Sequence, residues 1–110
     1  MRWSAERFEA VARHSQALHG NRNMLPVAIA VAELGGTLVK APEVGRELGG
    51  RVAPNRVLEA LLRLTAIGAL AELPYPGRPH PRLFEQLPSP YWTFAREFAT
   101  DAVSREQVLG

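Results

Sequence analysis

Apolar residues recur along this chain in two rhythms, every three to four positions and every second position, and the breaks between them fall at glycine and proline. Ser4 caps the first helical rhythm, with Glu6 in its opening turn and Phe8, Val11 and Leu18 at near-helical spacing; Gly20-Asn21 ends it. LPVAIAVAEL predicts a second helix, Met24 to Leu34, with Asn23 as its cap and Pro26 in the first turn, where a missing N–H costs nothing. That segment is apolar almost all round, which predicts burial. Gly35-Gly36 closes it, and TLVK, Thr37 to Lys40, is short, β-branched and strand-like.

PEVGREL predicts a short third helix, with Pro42 at its first position and Glu43 near its positive end. Gly49 to Val52 then connects to a fourth helix, from about Pro54 to Ile67, and two helices joined by so tight a glycine turn form a helix-turn-helix pattern. The fourth helix starts like a surface and ends like a core. Ala53, Pro54, Asn55 and Arg56 are small or polar, whereas Val57, Leu58, Leu61, Leu62 and Leu64 carry the apolar material.

Gly68 ends that helix, and Ala69 to Leu73 reads as a strand. PYPGRPHPR, Pro74 to Arg82, has four prolines and no periodicity, so it is a loop; RLFEQL, Arg82 to Leu87, alternates and pairs with Ala69–Leu73 as a hairpin around it. SPYWTFAREFATDAVSREQVL opens on a cap and a first-turn proline and carries Trp92, Ala95, Phe98, Ala102 and Val103 on one face of a last helix. There is no internal repeat.

Composition sets the class. At 110 residues with 46% hydrophobic and 22% charged content, one globular domain with one modest core is expected. No apolar run reaches the roughly 18 residues of a membrane span, and MRWSAERFEA lacks the apolar centre of a signal peptide, so a cytoplasmic protein is expected. The net charge of +2 is uneven: residues 37–82 carry one lysine and six arginines against four glutamates, a net +3, while residues 83–110 come to −2. The basic excess sits where an anionic partner would be received. Twelve arginines to one lysine suit bidentate recognition of phosphate or guanine, or reflect the codon bias of a GC-rich genome.

Catalysis finds little support. The absence of cysteine removes thiolate nucleophiles, disulfides and cysteine-ligated metals. His14 and His19 lie five residues apart, off one helical face, and His80 is remote in sequence, so no metal site is expected. Glu43 and Glu47 share a face of a short helix as solvated ion-pairing positions, and neither GxxxxGK[ST] nor GxSxG occurs. No enzyme and no cofactor are expected.

Helix, strand, helix, turn, helix and hairpin is the order of a winged helix-turn-helix domain, mainly α with a small β-hairpin wing and flanking terminal helices (1–20, 22–87 and 89–110). Over residues 22–87, APEVGRELGG, VAPNRVLEALLRLTAIGAL and PGRPHPR resemble the small bacterial winged-helix regulators of the MarR and PadR type. The resemblance implies that Val52 plugs the turn, Val57 and Leu61 face the core, and Ala53, Pro54, Asn55 and Arg56 face double-stranded DNA. Small residues let a backbone approach the major groove, Asn pairs with adenine edges and Arg with guanine O6 and N7. Lys40, Arg51 and Glu59 complete the expected surface around the recognition helix, and Arg78, His80 and Arg82 on the wing. A sequence-specific regulator, most simply a nucleoid-associated dimeric repressor, is the function implied; nothing identifies a small-molecule effector.

Plainer readings exist at each point. APNR is also what the polar first turn of a core helix looks like, and proline-rich loops are often stiff connectors. VAELGG with ALLRLTAIGAL is also similar to the N-terminal dimerisation region of small-molecule O-methyltransferases, although 110 residues are expected to leave no room for a catalytic domain. That likeness keeps a protein-interaction module in view. Two apolar stripes, Phe8, Val11 and Leu18 at one end and Trp92, Phe98, Ala102 and Val103 at the other, are candidates for a homodimer interface unless they fold back on their own core.

Overall fold

The computed structural model describes residues 3–74, 77 and 79–109, with side chains described to residue 100. It contains α1 (Ala5–His19), α2 (Met24–Leu34), β1 (Leu38–Lys40), α3 (Ala41–Glu47), α4 (Pro54–Ala66), β2 (Leu70–Glu72), β3 (Leu83–Gln86) and α5 (Pro90–Leu109). The architecture is thus mainly helical with a small three-stranded antiparallel sheet. No helix among the described residues is long and apolar enough to cross a membrane.

Helix α2 is the hub. All eight residues from Met24 to Val31 are buried, because α1 and α5 cover one side while α3 and α4 cover the other. Its start differs from the sequence expectation. Asn23 makes no side-chain cap; instead the hydroxyl of Ser15, fully buried on α1, accepts from Leu25 N–H at 2.9 Å and donates to the Asn21 carbonyl. A buried orphan N–H costs about 1–3 kcal/mol, so a cap reaching over from another helix replaces the local one.

Tight glycine turns separate the helices of the middle segment. Gly49 and Gly50 both take positive φ, at 70° and 73°, and Gly50 N–H reaches back to the Gly45 carbonyl at 3.0 Å, satisfying the end of α3. Gly68, φ 81°, repeats the device after α4, with Ala69 N–H donating to the Leu64 carbonyl at 2.9 Å. Each turn spends only a few residues on reversing the chain, which keeps α3 against α4 and α4 against β2.

The sheet is larger than the expected hairpin. Strand β3 lies in the middle, paired antiparallel with β2 and also with β1, in the order β1-β3-β2. Val39 lies opposite Phe84, and both point into the core. Some forty residues separate TLVK from RLFEQL, so local periodicity carries no trace of that pairing. Its consequence is that the hairpin is fastened at its base to the segment that enters α3.

Candidate nucleic-acid interface

The bare front of α4 survives folding. Val57, Ala60, Leu61 and Leu64, spaced three to four apart, are buried, and Val52 is buried in the turn before them. Ala53, Pro54, Asn55 and Arg56 precede the first covered turn and are all exposed. Beside them, between α3 and α4, opens a cleft of about 520 Å³ lined mainly by Ala41, Pro42, Gly45, Val52, Ala53 and Pro54, with Arg46 also in its wall. Its walls are small because the glycines of α3 and of the turn carry no side chains to fill it.

The cations around this front differ in their engagement. Arg56 pairs with Glu59 at 3.0 Å, and Glu59 also receives Arg63 at 3.5 Å. Lys40 lies 3.9 Å from Glu43. Arg51 is engaged by the backbone: its Nη1 donates to the carbonyls of Trp3 (3.0 Å) and Leu48 (3.2 Å), so the guanidinium clamps the α3–α4 turn to the N-terminal segment. Arg46 and Asn55 have no side-chain partner among the described residues. Exposed ion pairs of this kind are worth about 0.2–1 kcal/mol, so a phosphate can displace them.

On the hairpin, Arg82 grips Glu72 with two bonds of 2.7 Å across the ladder. That hydrogen bonding holds the Glu72 carboxyl below its ordinary range. His80 is exposed in a turn closed by its own N–H to the Gly77 carbonyl at 3.0 Å. Arg78 lies outside the described residues. The expected surface residues therefore gather around the α3–α4 front and the hairpin, with Arg51 and Arg82 already bonded within the chain.

Both terminal stripes require a correction. Phe8, Val11 and Trp92, expected at an interface between protomers, are buried in the chain's own core. The reason is that α1 and α5 pack on each other and on α2, turning their apolar faces inward. Leu18 stays 51% exposed, and Phe98 is half-buried, edge-on to His14 with ring centroids 5.1 Å apart. The side chains of Ala102 and Val103 lie outside the described residues. Phe94, which the one-face reading passed over, is exposed and stacks on Phe98 at 5.5 Å. Near it, His19 is held below its ordinary pKa by burial, and burial pushes the Tyr91 hydroxyl, 3.3 Å from His19 Nε2, up to about 12.

Two further residues escaped the sequence reading. Trp3 donates from its indole to Glu33 at 3.0 Å, stacks under Arg7 at 4.1 Å, and its backbone N–H bonds the Glu47 carbonyl at 3.1 Å. It joins α1, α2 and the end of α3 at one point. Arg46 sits in a short helix with no pattern to single it out, and only the packing of α3 against α4 brings it beside the front. Compared with known protein families, curated proteins and solved structures, the chain matches none.

Proposed function

We propose that this chain is a sequence-specific double-stranded DNA-binding regulator of the winged helix-turn-helix kind, most simply a dimeric repressor. The observation that carries the reading is the exposed Ala53-Pro54-Asn55-Arg56 front on a helix whose following turns are anchored in the core. A firmly anchored front whose first residues are small is what entering a major groove requires, and a hairpin following the reading helix would serve the backbone or a neighbouring groove. Arg46, without a side-chain partner among the described residues, and the weakly paired Lys40, Arg56 and Arg63 supply charge for phosphates. One such reader covers a half-site, so two-fold pairing, with recognition helices roughly 34 Å apart, is the economical assembly. Exposed Leu18 and Phe94, with half-buried Phe98 beside Phe94, are its apolar candidates.

The test is a duplex titration at several salt concentrations. Affinity is expected to fall steeply with salt as condensed counterions are released. Binding no better than that of a basic control protein at low salt would overturn the reading.

A second reading has its own observation: several cations of this face are already bonded within the chain, and the cleft among them is walled by Ala, Pro, Gly and Val. That surface suits an apolar side chain of a protein partner, as in an interaction module. Salt-insensitive capture of a protein with no DNA binding would favour it.

A further inference from the structure

We infer that the front of α4 selects A·T pairs, with Ala53, Pro54 and the adjoining cleft receiving the thymine 5-methyl group and Asn55 taking the adenine edge. The inference rests on the DNA-binding reading above and deepens it to the bases read. Three observations converge. The cleft beside the front is lined largely by small apolar residues, with Arg46 in its wall, so it offers contact to a methyl group. Of the two pyrimidines, only thymine presents a methyl in the major groove, so a wall of Ala, Pro and Val gains a contact with thymine that cytosine does not offer. Asn55, next along the helix, is exposed and has no side-chain partner among the described residues. A carboxamide both accepts and donates, the pattern that adenine N6 and N7 complete.

The residue type suited to guanine is less ready. Arg56 is held by Glu59, which also receives Arg63, so its guanidinium must leave a carboxylate before it reaches a base. Arg46, without a side-chain partner among the described residues, lies in the cleft wall on α3, off the reading helix, where its guanidinium fork suits a phosphate.

The experiment selects bound duplexes from a random pool and then replaces thymines of the preferred half-site with deoxyuridine, one at a time, removing only the methyl. At one or two positions per half-site the affinity is expected to fall roughly fourfold for each methyl that loses its contact. With the A53G variant the thymine-to-uridine ratio at those positions is expected to shrink towards one, and N55A is expected to lose the preference for adenine over guanine. Both positions are exposed, so an unchanged thermal melt confirms that the variants fold. Equal binding of thymine and uridine duplexes, or a half-site built of G·C pairs alone, overturns the inference and leaves DNA binding standing. A pool from which no duplex is enriched overturns both.

Discussion

The terminal helices and α4 both present a contrast of apolar and polar faces, and folding treats them in opposite ways. In α1 and α5 the apolar stripes meet each other and α2, so Phe8, Val11 and Trp92 vanish into the core. In α4 the apolar turns are likewise covered, but Ala53 to Arg56 stay exposed among the described residues. An apolar stripe is therefore poor evidence of an interface, since a chain's own elements compete for it. A front without large apolar side chains gives its own core little to bury, so its exposure is the more informative feature.

Core truncation should give the largest effect. Trp92→Ala removes a buried ring, and also the indole N–H that donates to the Leu87 carbonyl at 2.9 Å; a loss of about 3–5 kcal/mol in denaturant unfolding is expected. Phe94→Ser, on the same helix but exposed, should leave protomer stability within about 1 kcal/mol and lower self-association measured by sedimentation. Comparable destabilisation by both would erase the distinction between covered and uncovered stripes.

The next effects lie on the front of α4. Asn55→Ala should relax sequence preference by about 1–3 kcal/mol in competition binding. Arg56→Ala should cost less, because release from Glu59 offsets about 0.2–1 kcal/mol of what the arginine gains at a base. Arg46→Ala should weaken all sequences alike and make the salt dependence shallower by about one unit of slope. Equal loss of preference from all three would show that the front is an undifferentiated basic surface.

Ser15→Ala strands Leu25 N–H at the buried start of α2 and should cost about 1–2 kcal/mol with no change in DNA preference. It contrasts a buried polar joint with the exposed polar front. A neutral result would mean that the start of α2 finds another acceptor.

The smallest effect is set by pH. Because Arg82 holds the Glu72 carboxyl below its ordinary 4.5, the pair supports the hairpin fully above that value and loses its contribution as pH falls through the lowered one. Glu72→Gln should flatten this acid limb in a thermal-melt series. The same variant takes a carboxylate away from the wing, so duplex affinity at low salt should rise slightly. Unaltered binding alongside a flattened acid limb would assign Arg82 to the hairpin alone.

Sequence patterning by itself determined the helices, because their signals are local: Ser4 beside its first turn, glycines where positive φ is needed, and apolar residues at helical spacing. It also located the bare front, since the switch from APNR to a repeating apolar face is contained within α4. Tertiary structure alone decided the rest. It added β1 to the sheet, moved the cap of α2 from Asn23 to Ser15, bonded Arg51 to backbone carbonyls, and buried Phe8, Val11 and Trp92 of the stripes that read as interfaces. Each of these joins residues distant in the chain, and local patterning records that a residue needs a partner without recording which element supplies it.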